Sequence, residues 1–156
     1  YITIPAGHPD VRLHAFYPKL ATFTASATFN VNIRSTAGTL LQTSSFDQDY
    51  TSPSGYYPCV LSSDVWLTAG NKYYIMIGAG TGTCVTPRIM AGFTSSALLA
   101  DVSSGIDCGF ATYNGTTFTD TATTRFCGSL IFNGIRFTQT GGTTNYIVPA
   151  GFNTIG

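Results

Sequence analysis

From Ala21 to Arg34 the chain alternates without a break. Ala21, Phe23, Ala25, Ala27, Phe29, Val31 and Ile33 are apolar, while Thr22, Thr24, Ser26, Thr28, Asn30, Asn32 and Arg34 are polar. On a helix this order would scatter apolar groups around the whole circumference. On an extended chain it makes one dry face and one wet face. The stretch therefore reads as one bent strand, or two strands split near Ala25-Ser26, whose dry face lines the core. Thr36-Ala37-Gly38 then turns the chain into a further strand, Leu40 to Phe46. Composition agrees: 44% of residues are hydrophobic and 13% aromatic, but only 9% are charged. Such a balance favours strands and leaves Ser, Thr, Asn and Gly to cover the surface.

A second stretch, Ser62 to Gly78, has the same period with a turn in its middle. Val65 and Leu67 alternate with Asp64, Trp66 and Thr68; Ala69-Gly70-Asn71 turn; Tyr73, Ile75 and Ile77 resume. This predicts a hairpin, with Gly70 and Asn71 free to take positive φ. If Val65, Leu67, Tyr73, Ile75 and Ile77 face the core, then Trp66, Tyr74 and Met76 form a second apolar stripe on the outer face. A solvated strand carries polar residues there, so these three are expected in a subunit contact, or under a cover from the same chain.

The Val65–Ile77 stretch resembles a hairpin common in jelly-roll modules of secreted carbohydrate-active proteins and in accessory β-sandwiches of phage tail and fibre proteins. Arg125 to Phe137, with Leu130-Ile131-Phe132-Asn133-Gly134-Ile135, is similar to the closing strand of those viral modules. The expected fold is therefore all-β: an antiparallel β-sandwich, jelly-roll-like, of about eight to ten strands with almost no helix.

Shorter strands fill the remainder. Tyr1 to Pro5 and Val11 to Tyr17 read as strands, the second stopping at Pro18; Arg88 to Phe93 and Gly109 to Tyr113 follow. Tyr113-Asn114-Gly115-Thr116 carries a hairpin turn of the Asn-Gly type. Residues 1–140 read as the β-sandwich domain. Residues 141–156 read as a linker and terminal strand. There Val148-Pro149-Ala150-Gly151 echoes Ile4-Pro5-Ala6-Gly7, so the tail is either a coincidental edge strand, the start of a further repeat, or an inter-subunit strand. Tyr1 opens directly on strand-like residues, which suits a mature product or an excised part of something longer.

The formal net charge is zero, and all seven acidic residues are Asp. Nothing could neutralise a row of phosphates, so nucleic acid is not an expected partner. No apolar run has the length of a membrane-spanning helix, so membrane insertion is not expected. Cys59, Cys84, Cys108 and Cys127 show no Cys-x-x-Cys spacing for a metal knuckle and there are only two His, so disulfides are favoured over free buried thiols. The favoured pairs are Cys59–Cys84 and Cys108–Cys127, each contributing about 3 kcal/mol by loop closure and implying an oxidising, extracellular or virion-surface setting. His8 and His14 lack a third metal ligand, and His14 reads as solvent-facing. No cofactor or metal is expected.

No nucleophile elbow, phosphate loop or His–Glu–His spacing is present. Asp47/Asp49 and Asp101/Asp107 lie in polar stretches with nothing to raise a carboxyl pKa, as glycoside hydrolysis would need. Two non-catalytic functions remain. One is a structural or attachment module of an extracellular assembly, such as a phage tail, fibre or decoration protein or a surface filament, with other subunits as partners. The other is a carbohydrate-binding module or lectin-like domain for a cell-surface glycan, with Tyr56, Tyr57, Trp66 and Tyr113 as stacking rings. Asp47 and Asp49 beside Tyr56-Tyr57 fit either a plain polar loop or a binding loop with Ca²⁺ ligands.

Overall fold

The computed structural model describes residues 1–20, 27–48, 55–81, 89–91, 106–121, 124–126, 128–139, 142–147 and 154–155. Within them the chain is built of antiparallel strands, with no helix. These are β1 (Ile2–Thr3), β2 (Asp10–Leu20), β3 (Ala27–Ser35), β4 (Leu40–Gln48), β5 (Gly55–Tyr56), β6 (Cys59–Leu67), β7 (Lys72–Thr81), β8 (Ile89–Ala91), β9 (Asp107–Cys108), β10 (Phe110–Tyr113), β11 (Phe118–Thr121), β12 (Thr124–Phe126), β13 (Gly128–Gln139), β14 (Gly142–Ile147) and β15 (Thr154–Ile155).

Two sheets dominate. The first has five strands in the order β4-β3-β7-β1-β9. The second runs β14-β13-β2, with β5 and β6 on the far side of β2 and β15 beside β13. Ile2, Val31, Ile33 and Tyr73 of the first sheet join Val11, Leu13, Phe16, Cys59, Leu61, Leu67 and Phe132 of the second in one buried cluster. The alternation of β3 is realised as read: Phe29, Val31 and Ile33 are fully buried, with Thr28, Asn30 and Asn32 between them only partly covered. Residues 21–26 lie outside the described residues.

The two sheets also meet edge to edge along β4 and β6. No backbone ladder joins those strands; polar side chains do. The Ser62 N–H donates to Ser44 Oγ at 2.9 Å, Gln42 Nε2 donates to the Ser63 carbonyl at 2.9 Å, and Ser62 Oγ donates to the Thr43 carbonyl at 3.4 Å.

The hairpin expected over 62–78 is not one. β6 pairs with β2, whereas β7 pairs with β3 and β1, so residues 68–71 carry the chain from one sheet to the other. A hairpin and such an arch share one hydrophobic pattern, because both join two strands by a tight turn. They differ in who takes the backbone hydrogen bonds. Here Gly70 N–H donates to the Ile4 carbonyl (2.8 Å), Ile4 N–H to the Asn71 carbonyl (2.9 Å), and Thr68 N–H to the Tyr73 hydroxyl (2.8 Å). Gly70 takes φ +77°, and Asn71 does not take positive φ.

Three other expectations change. β2 continues through Pro18, whose carbonyl accepts the Tyr57 N–H at 3.0 Å, so the ladder loses one donor without ending. The Asn-Gly hairpin forms between β10 and β11, but its loop is residues 114–117, and only Gly115 takes positive φ. Asn114 Oδ1 accepts the Thr116 and Thr117 N–H groups at 2.9 and 2.8 Å, which stiffens that loop. Finally, Gly142 begins a strand rather than continuing a linker: β14 and β15 both run antiparallel to β13. Residues 148–153, including the Pro-Ala-Gly echo, lie outside the described residues. Its N-terminal counterpart follows β1, which sits between β7 and β9 rather than at an edge.

Gly128 shows how closely β13 approaches β2. A Cβ there would lie 2.8 Å from the Phe16 ring and 3.2 Å from the Tyr17 carbonyl oxygen. Gly128→Ala is expected to cost about 1–3 kcal/mol by overpacking. Gly78 has nothing within 4 Å of such a Cβ, so Gly78→Ala is expected to be neutral or stabilising by about 0.5 kcal/mol. Urea unfolding of the two variants tests the contrast.

Candidate functional site

Along β2, Val11, Leu13 and Ala15 are buried, which sends Asp10, Arg12 and His14 to the other side of the sheet. Both neighbours of β2 are irregular at this point. Leu13 pairs with Val65 and Ala15 with Val60, so residues 61–64 of β6 stand opposite His14 alone. On the other side Leu13 pairs with Phe132 and Arg12 with Gly134, leaving Asn133 as the extra residue of β13. Bulges of this kind re-aim side chains.

Their product is a polar cluster spanning three strands. Asp64, from the first bulge, accepts from His14 Nδ1 at 2.8 Å and from Asn133 Nδ2 at 2.9 Å, and lies 3.2 Å from Arg12 Nε. Asn133, from the second, accepts the Arg12 Nε–H at 2.8 Å. A carboxylate at that distance requires the proton on Nδ1, so Nε2 is the histidine nitrogen left for another partner. Burial disfavours the Asp64 charge, but the hydrogen bonds from Asn133 and His14 and the nearby His14 and Arg12 outweigh it, holding its carboxyl below the usual range.

Trp66 pairs with Arg12 across the β6–β2 ladder. The guanidinium carbons of Arg136 and Arg12 lie 4.6 and 5.8 Å from its ring centroid. Arg136 is held in turn by Asp10, whose Oδ2 accepts from Nη2 at 2.6 Å and from Nε at 3.0 Å. His14, expected to face solvent, is thus partly buried in an ion-paired cluster.

The cluster makes a stability prediction. A depressed folded carboxyl pKa stabilises the fold above the unfolded value, about pH 4, and that contribution is lost as pH falls through the folded value. The melting-temperature gap between the parent and Asp64→Asn is therefore expected to be widest at neutral pH and to close on acidification below about pH 4. A gap constant with pH would contradict it.

Trp66, Tyr74 and Met76 do not form one patch. Trp66 belongs to the second sheet, and the other two to β7 of the first. Tyr74 is buried within the chain, under the β10–β11 hairpin. Its ring stacks on Phe118 with centroids 3.8 Å apart, Tyr113 leans on Phe118 at 4.5 Å, and the Tyr74 hydroxyl donates to Asp120 at 3.1 Å. Asp120 also pairs with Lys72, whose ammonium sits 3.8 Å from the Tyr1 ring centroid. Burial, then the bond to Asp120, pushes the Tyr74 hydroxyl pKa up.

The four expected sugar-stacking residues are likewise dispersed. Tyr113 belongs to this aromatic ladder, and its hydroxyl donates to the Gly115 carbonyl at 2.8 Å. Tyr56 lies in β5, opposite Lys19. Tyr57 is half-buried, and Trp66 alone stands in the polar cluster. Asp47 belongs to β4, opposite Thr28, and Asp49 lies outside the described residues. Among the described residues no three His, Cys, Asp or Glu side chains gather as a metal site.

Cys59 is buried and carries a free thiol, its pKa raised by burial, which departs from the expected Cys59–Cys84 bridge. Cys84 and Cys127 lie outside the described residues, and with them the Cys108–Cys127 pair.

Periodicity did not reveal Asp64, Asn133, Arg136 or Asp10 as partners. The available signal was Asn133-Gly134 interrupting an apolar strand, and Ser62-Ser63-Asp64 inside another. No protein-family model matches the chain, and no curated protein or solved structure matches it.

Proposed function

We propose that this protein is a non-catalytic structural or attachment module of an extracellular assembly, a phage virion part such as a tail, fibre or decoration protein, or a surface filament. Its partners would be other subunits of that assembly. The observation that carries this reading is the surface along β4. No position from Leu40 to Ser45 is buried, none of these residues is charged, and Leu40 and Leu41 are 46% and 42% exposed. Across the seam Val60 is 52% exposed. Adjacent exposed leucines on an uncharged strand suit a protein neighbour. Sheets joined through one core support the jelly-roll-like sandwich this reading assumes.

Size-exclusion chromatography with light scattering tests it. The parent is expected to self-associate at micromolar concentration, and Leu40→Lys with Leu41→Lys to run as a monomer with an unchanged melting temperature. A monomeric parent would remove the self-assembly form of this proposal.

A second reading, recognition of a cell-surface glycan, is favoured by one observation: the single tryptophan lies among oriented polar side chains on three strands. An aromatic wall with fixed donors and acceptors is the usual chemistry of sugar binding.

A further inference from the structure

We infer that the Arg12–His14–Trp66–Arg136 face binds a sugar bearing a carboxylate, a uronic or related acid, rather than a neutral sugar. This rests on the glycan reading of Trp66 and adds the charge of the ligand.

The polar contacts of the cluster point inward. Arg12 uses only Nε, toward Asn133 and Asp64; Nη1 and Nη2 have no partner among the described residues. Arg136 uses Nε and Nη2 on Asp10, leaving Nη1. His14 uses Nδ1 and leaves Nε2. The carboxylates and Asn133 therefore hold each guanidinium by one edge and leave the Arg12 Nη1–Nη2 pair and Arg136 Nη1 for another partner, on side chains that are 20% and 27% exposed. The end-on pair of Arg12 matches the two oxygens of a carboxylate, a planar bidentate contact that a lysine cannot copy. Trp66 supplies the apolar wall, already flanked by both guanidiniums. His14 Nε2 is left to hydrogen-bond a sugar hydroxyl.

Charge selects the ligand class. Two Arg offset by Asp10 and Asp64 leave the cluster close to neutral. A dianionic phosphate would meet both carboxylates with little net attraction. A monoanionic carboxylate takes the fork and leaves its ring for the indole. The chain carries only seven Lys and Arg in all, so two on one ring is a marked concentration.

Trp66 is the only tryptophan, so its emission reports on the site directly. The test is a fluorescence titration with an oligogalacturonate and with its methyl ester, which keeps the rings and removes the charge. The expected result is a saturable change with the acid, at least about tenfold weaker with the ester, since a charge-assisted fork is worth that much. Arg12→Lys, which also gives up the Nε–H bond to Asn133, is expected to lose about tenfold for the acid while remaining folded. Equal binding of acid and ester would overturn the carboxylate assignment and leave the glycan reading standing. No response to either, with no retention of the parent on a wider glycan array, would overturn both. A stable Arg12→Lys variant with unchanged affinity would remove Arg12 from the site.

Discussion

Leu13→Ala is expected to lower the unfolding free energy by about 2–5 kcal/mol, the range for a buried leucine truncated in a core that relaxes only in part. Leu13 has no exposed surface and lies in β2, the central strand of the second sheet, between Val65 of β6 and Phe132 of β13. The cavity would open beside both bulges. Domain stabilities run about 5–15 kcal/mol, so the loss is a large share of the total. It should appear as a lower urea midpoint with an unchanged slope. A loss below about 1 kcal/mol would mean that the two sheets do not close over this position as described.

Asp10→Ala is expected to cost about 3–5 kcal/mol, the usual consequence of removing one partner of a mostly buried ion pair. Asp10 is 7% exposed. Its Oδ1 accepts the Ala69 N–H at 2.8 Å and its Oδ2 takes Arg136. One side chain thus ties β2 to β13 and to the arch between the sheets. Truncation would leave a guanidinium beside Trp66 without its counter-charge and a backbone donor without an acceptor. Asp10→Asn keeps an acceptor for Ala69 and is expected to recover part of the loss. Alanine and asparagine variants of equal stability would show that the backbone bond contributes nothing. Both variants should be compared in urea at neutral pH.

What the sequence determined by itself is local. Strict alternation over Phe29, Val31 and Ile33 dictates an extended chain with one buried face, because no other backbone period places those residues together. Gly38, Gly70 and Gly115 mark turns because each adopts a positive φ that other residues resist. Tertiary structure decided which strands pair. The pattern around Ala69-Gly70-Asn71 fits a hairpin and an arch equally. The outcome turned on Ile4 and Asp10, more than fifty residues away in the chain, taking the turn's backbone groups. The candidate site is of the same kind. His14 and Asp64 are 50 residues apart, Arg12 and Asn133 121, and Asp10 and Arg136 126. Period-2 reasoning assumes an unbroken ladder. The two bulges that bring Asp64 and Asn133 to Arg12 and His14 are departures from that ladder, and Leu61 and Phe132 beside them stay buried in the core.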